Sequence, residues 1–240
     1  MCSSDLGQTG SYQLISNLVS NSGVVTTDTS ISGTARSFLA AAGYGTDKAI
    51  FGYGNASSGS KSMTNLVSNT GVVAADTTGV GSVRNSLAAA GYGTDKAIFG
   101  YGVGADYFSI TNLVSNTGVV ATDTTGVGTG RYALAAAGYG GDKAIFGYGI
   151  GSGSVNYSIS NKVSNAGVVA TDTTGVGTAR CSLAAAGYGG DKAIFGYGYD
   201  QGSNIYSVTN LVSNAGVVAT DTTGVGTARR DLAAAGYSLT

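Results

Sequence analysis

The chain has no histidine, no tryptophan and no proline in 240 residues. Without histidine, neither a Ser-His-Asp triad nor a Cys-His dyad can form, and metal sites built on imidazole are excluded. Without proline, the 41 glycines do not make a collagen or a Pro-rich linker. Charge is scarce too, at 10% of residues against about 25% in ordinary proteins, and the net charge is −1. Such a chain has no field to steer nucleic acid or an anionic membrane surface. No segment resembles a transmembrane span or a secretory signal. The expectation is a chain with no nucleic-acid partner, no membrane insertion and no cofactor.

What is present is one unit repeated. Asn-Leu-Val-Ser-Asn occurs at 17–21, 65–69, 112–116 and 210–214, and Asn-Lys-Val-Ser-Asn at 161–165, spaced 48, 47, 49 and 49 residues apart. A period in this range marks a solenoid, a propeller or an array. The two cysteines, Cys2 and Cys181, do not recur with the repeat, which excludes a repeat-based disulfide or zinc framework. Residues 1–10 do not match the repeat and read as a leader or a cloning or sequencing scar.

The unit from Arg131 to Arg180 resolves into short pieces. Leu134–Tyr139 is small and apolar, suited to close packing near an axis. Gly140-Gly141-Asp142 is a turn, and Lys143–Tyr148 is a strand with alternating aromatics. Residues 149–156 form a Gly-Ser loop, Tyr157–Ser164 alternates as a third strand, and Asn165-Ala166-Gly167 turns into β-branched Val168–Thr173. Glycines interrupt every candidate helical stripe. Four short strands per repeat predict a β-propeller blade, and the fold class is all-β.

Leu-Ala-Ala-Ala-Gly-Tyr starts five times, at Leu39, Leu87, Leu134, Leu183 and Leu232, whereas Asp-Lys-Ala-Ile-Phe-Gly-Tyr occurs four times, from Asp47, Asp95, Asp142 and Asp191. Residues 11–240 therefore read as one propeller of about five blades. The last inner strand, 232–237, is expected to complete the blade opened by 13–29. That blade lacks its own Lys-Ala-Ile-Phe strand. It is defective, or residues 1–10 replace the strand, or the chain is a fragment of a longer ring.

The run Arg180-x-x-Leu-Ala-Ala-Ala, Asp191–Gly198, Tyr206, Thr222, Arg229 resembles a kelch repeat, in which an Arg precedes a small-apolar inner strand and a glycine-ended apolar strand follows. The resemblance spans nearly all of 11–240. It departs where Gly-Tyr-Gly replaces a double glycine and where the family's Trp is missing. The Gly-Tyr-Gly region is also similar to propellers of the regulator-of-chromosome-condensation type. Near-identical repeats of this kind resemble bacteriophage virion proteins, which implies a place on a virion.

Internal comparison locates the variation. The Asn opening each motif lies 19 residues before an Arg, and that Arg lies 8 before the inner-strand Tyr, in all five copies. Length changes fall in 54–64, 102–111, 149–160 and 198–209, and a second variable spot is the pair after each Arg. In an up-and-down blade both spots share one face. Variable loops on a fixed scaffold commonly form a binding surface. Its candidate ligand-binding residues are Asn55, Lys61, Asp106, Tyr107, Phe108, Tyr132, Asn156, Asp200, Gln201, Asn204 and Arg230, a mixture of aromatics, amides and charges suited to sugars or protein surfaces. Tyr157 and Tyr206 read as core. The recurrent Arg36, Arg84, Arg131, Arg180 and Arg229, with Asp28, Asp76, Asp123, Asp172 and Asp221, read as a structural Arg–Asp set that fixes blade register. The Asp-Lys pairs read as turn-fixing.

Neither Gly-Val-Gly-Thr-Ala-Arg nor Gly-Tyr-Gly-Gly-Asp-Lys matches a phosphate loop, and too few carboxylates cluster for calcium. The expected function is non-enzymatic binding of a host surface glycan or protein, or of other virion proteins. The alternative is an architectural repeat protein without a specific ligand.

Overall fold

The computed structural model describes residues 12–20 and 22–236, so the leader and the end of the closing strand lie outside the described residues. Four antiparallel sheets follow one another along the chain. Their first strands are Ala40–Tyr44, Ala88–Tyr92, Ala135–Tyr139 and Ala184–Tyr188. The second strands are Lys48–Gly52, Lys96–Gly100, Lys143–Gly147 and Lys192–Gly196. The third strands are Thr64–Val67, Thr111–Val114, Ser160–Val163 and Thr209–Val212. The second strand lies in the middle of each sheet. Among the described residues there is no α-helix, only a 3-10 turn at Ser152–Ser154.

The expected fourth strand is not a continuous strand. It joins the third through two isolated bridges, Val67↔Val73 and Thr64↔Thr77 in the first repeat, with counterparts in the other three. Three steps along the third strand match four along the outer segment, so each outer segment carries one extra residue, a β-bulge. The motif's opening Asn fills that bulge: Asn65 Nδ2 donates to Ala74 O at 3.1 Å and to Asp76 Oδ1 at 2.9 Å. The motif's Ser closes the following turn, as Ser68 Oγ accepts from Val72 N at 3.0 Å. Its last Asn reaches the turn between the first two strands, with Asn69 Nδ2 donating to Asp47 Oδ2 at 3.2 Å.

The core lies between sheets, not within any one of them. One cluster joins Tyr92, Ile98 and Tyr101 to Phe146 and Val163 of the next repeat, and two others repeat the arrangement on either side. Neighbouring sheets approach closely because glycines face the contact. A Cβ on Gly52, Gly100 or Gly147 would stand 2.7–2.8 Å from the ring tip of Phe99, Phe146 or Phe195 in the following sheet. The first strands also lie side by side, and Gly91, Gly138 and Gly187 each face the carbonyl of the matching glycine in the previous repeat. A backbone ladder links the sheets at the opposite end. Ser86 N donates to Phe38 O, Ala133 N to Ser86 O, Ser182 N to Ala133 O and Asp231 N to Ser182 O, at 2.8–3.0 Å.

Segment 12–30 supplies a third-strand and outer-segment pair, Ile15–Ser16 with Thr29–Ser30, and its Leu18 packs on Gly71 as Leu66 packs on Gly118. At the other end, Gly236 stacks on Gly187 as a fifth inner segment. Residues 232–236 are not in a paired strand.

Candidate functional site

The recurrent arginines sit at the seams between sheets. Arg36, Arg84, Arg131 and Arg180 are fully buried, although each carries a charge. In the third repeat, Arg131 Nη2 donates to Asn161 Oδ1 at 2.7 Å, Nε to Tyr148 O at 2.7 Å and Nη1 to Thr129 O at 3.0 Å. Its guanidinium lies 4.3 Å from the ring centre of Tyr101 in the previous sheet. Asp172 Oδ1 is 3.9 Å from Nη1, so Asn161 is the hydrogen-bonded link between them, donating to Asp172 at 2.9 Å. The other Asp172 oxygen accepts from Thr129 N and Oγ1. Arg84 with Asp123 and Arg180 with Asp221 repeat this ion-pair spacing at 3.8 Å, and Arg36 approaches Asp76 to 3.3 Å, though Nε of Arg36 and of Arg84 lacks the carbonyl partner among the described residues. Arg229 stacks on Tyr197 at 3.8 Å but is exposed, and Asp28 accepts from the Asn17 amide at 2.9 Å.

Burial alone would push the Asp172 carboxyl up; hydrogen bonds from Thr129 and Asn161 and the Arg131 charge outweigh it and hold it below the usual carboxylate range. Burial, partly opposed by the arginine charges, pushes the phenols of Tyr53, Tyr101 and Tyr148 up to about 12. An unfolded phenol titrates near ~10. These raised values therefore contribute stability that is complete below ~pH 10 and is lost as pH rises through ~12. In an ultraviolet phenolate titration, three of the 15 tyrosines should ionise last, together with loss of near-ultraviolet dichroism. Complete phenolate formation by about pH 11 with the fold intact would refute this.

The two variable spots of each repeat are joined to one another. Ser37 pairs with Asn55, Asn85 with Val103, Tyr132 with Ile150 and Cys181 with Tyr199, each through reciprocal backbone hydrogen bonds of 2.8–3.0 Å. The antiparallel register puts these pairs at one end of the sheets and the Asp–Asn turns at the other.

Within that variable face the structure forms two groups. Tyr107 and Tyr132 stack with ring centres 5.7 Å apart, and Asp106 caps the loop by accepting from Tyr107 N at 2.7 Å. In the fourth repeat, Asp200 accepts from Asn204 N, Asn204 Nδ2 and the Tyr206 hydroxyl, the last at 2.6 Å. These bonds hold its carboxyl down at about 2. Arg230 lies 4.4 Å from the ring centre of Tyr199 and 3.5 Å from Asp231. Gln201 is exposed beside them.

The other candidates stand apart from these groups. Asn55 donates to the Tyr12 hydroxyl at 3.3 Å, and Lys61 Nζ to Ser58 O at 3.3 Å. Phe108 is half-buried. Asn156 Oδ1 is buried with no hydrogen-bond partner among the described residues. Tyr157 and Tyr206 are half-buried. Sequence reasoning passed over Tyr199 as a contact residue. The available signal was its place opposite the Cys181-Ser182 pair, one of the variable spots.

At the end carrying the near-constant turns, a cavity of about 450 Å³ is lined by equivalent positions of all four repeats. They include Lys48, Lys96, Lys143 and Lys192, with Gly236 added from the last segment. Among the described residues, no group of three or more Cys, Asp, Glu or His gathers to hold a metal, and no helix is long and apolar enough to cross a membrane. No family model and no curated protein matches the chain.

Proposed function

We propose that the chain is a kelch-like β-propeller of five blades, closed by pairing 232–237 with the blade opened at 13–29. We propose further that it is a non-enzymatic recognition module of a virion surface. The ligand is a host surface glycan or protein, held by the variable face. One observation carries this reading: the loops that differ in length between repeats are bonded to the variable pair after each Arg at one end of the sheets, while the near-constant turns occupy the other. Drift alone would scatter length changes over every exposed loop. The Tyr107–Tyr132 pair offers a rigid aromatic platform flanked by Asp106, and Tyr107 is 38% exposed. Such a platform suits a sugar ring or a protein side chain.

The test is binding to a panel of bacterial surface glycans and to whole cells. The Tyr107→Ala/Tyr132→Ala chain should lose at least about tenfold in affinity. A chain with Gly-Ser in place of the four variable loops should lose binding altogether while keeping its fold. Equal binding by all three folded proteins, or by none, would favour the architectural alternative.

A further inference from the structure

We propose that the cavity bounded by the first strands binds a compact polyanion, a ligand carrying several phosphate, sulfate or carboxylate groups. The chain has six lysines and six arginines. Four of the arginines are fully buried in the seams and present no charge to a ligand. Four of the lysines, Lys48, Lys96, Lys143 and Lys192, line this one cavity. Half of the eight basic side chains that remain are therefore gathered at one place. The cavity, at about 450 Å³, lies within the range of small-molecule sites, roughly 300–1,000 Å³.

The lysines follow the same course in every repeat. Each Nζ folds back over the glycine of its own turn, 3.5–3.8 Å from where a Cβ on Gly45, Gly93, Gly140 or Gly189 would stand. Each ammonium donates to the carboxylate just before it in sequence, at 2.7–3.2 Å. That carboxylate is in turn tied to the outer turn by an Asn at 3.0–3.2 Å. The Asp residues are thus drawn toward the turns, and of the four only Asp142 reaches the cavity wall, whereas all four lysines do. The cavity wall thus holds four lysines and one of their four counter-charges.

An ammonium has three donors, and the neighbouring Asp takes one. Two donors per lysine remain for a ligand. The charges come from four separate repeats, so a single small anion cannot meet them all. A ligand with several anionic oxygens can. The inner glycines Gly43, Gly91, Gly138 and Gly187 line the wall without side chains and leave the space open. A turn-fixing role alone accounts for each Asp–Lys contact. It does not account for four lysines but only one of the aspartates lining the cavity.

The experiment is isothermal titration of the full chain with inorganic tripolyphosphate and, separately, with a trisulfated disaccharide, at low and at physiological salt. Binding of at least one is expected, weakening as salt rises. Replacing all four lysines with glutamine should lower affinity by about a hundredfold or more while the fold persists. Lysine acetylation read by mass spectrometry gives a second measure that needs no variant. The bound polyanion should protect Lys48, Lys96, Lys143 and Lys192 and leave Lys61 and Lys162 reactive. The stronger of the two ligands distinguishes a phosphate-rich source from a sulfated saccharide. Failure of both to bind at low salt, or equal protection of all six lysines, overturns the proposal.

Discussion

Replacing Arg131 with alanine is expected to destabilise the protein by about 3–5 kcal/mol, the range for removing one partner of a buried charged pair. Three acceptors lose their donor at once: Asn161 Oδ1, Tyr148 O and Thr129 O. Tyr101 loses the cation over its ring, and Asp172 keeps its negative charge with the nearest positive one gone. Water cannot readily take over, because Arg131 is fully buried. For a chain of this size that amounts to a fall of roughly 6–20 °C in the thermal midpoint. Lysine should not rescue it, since a point charge cannot serve three acceptors arranged for a planar fork.

The chain contains its own control. Arg229 is the same residue at the same place in the repeat, but it is exposed, and among the described residues its side chain bonds only Thr227 O, at 3.1 Å, besides stacking on Tyr197. Arg229→Ala should cost less than about 1 kcal/mol. Urea midpoints of the two variants, compared with the parent, decide the matter. Equal losses would show that the seam adds nothing to the burial of this arginine.

The first three strands of each repeat were legible because local chemistry and packing ask for the same residues. Ala-Ala-Ala-Gly-Tyr has small side chains where inner strands touch, and Lys-Ala-Ile-Phe-Gly alternates where a middle strand is covered on both faces. The outer segment was misread because Val-Val-Ala-Thr-Asp-Thr has the β-branched composition of a strand. Its interruption comes from one surplus residue relative to the third strand, a matter of register between segments that composition does not encode. The exposed outer valines, Val72, Val119 and Val168 at 65–66% exposure, show that β-branching there does not mean burial.

The variable face was legible as a set of positions, since constant spacings confine length changes to one connection. Which of its residues meet was not, because Tyr107 and Tyr132 are brought together only by the stacking of two repeats. The cavity lysines were hidden for a related reason. Asp-Lys beside a glycine turn is adequately explained within one repeat, and the gathering of four such lysines appears only when the sheets are placed around a shared space.

That shared placement depends on glycines at the end of the second strand, and Gly147→Ala tests it. The backbone at Gly147 is ordinary extended strand, so alanine costs nothing in local conformation. The penalty is steric: the new Cβ would lie 2.7 Å from Phe195 Cζ and 3.0–3.1 Å from both Cε atoms. Phe195 cannot step aside, because it is fully buried and packed edge-on against Tyr148 with ring centres 5.2 Å apart. The neighbouring sheets must separate or the ring must leave its rotamer, and overpacking of this kind costs about 1–3 kcal/mol. A separated seam also weakens the hold on Arg180, which stacks on the same Tyr148 at 4.4 Å, so the upper end of the range is expected. Gly196 occupies the same position in the last sheet, where no Phe follows; among the described residues its added Cβ would meet only Thr209 Cγ2 at 3.3 Å. Gly196→Ala should therefore change stability by no more than about 0.5 kcal/mol. If the two alanines behave alike in thermal and urea unfolding, the glycine is there for strand chemistry. If only Gly147→Ala destabilises, the close stacking of successive sheets is what requires it.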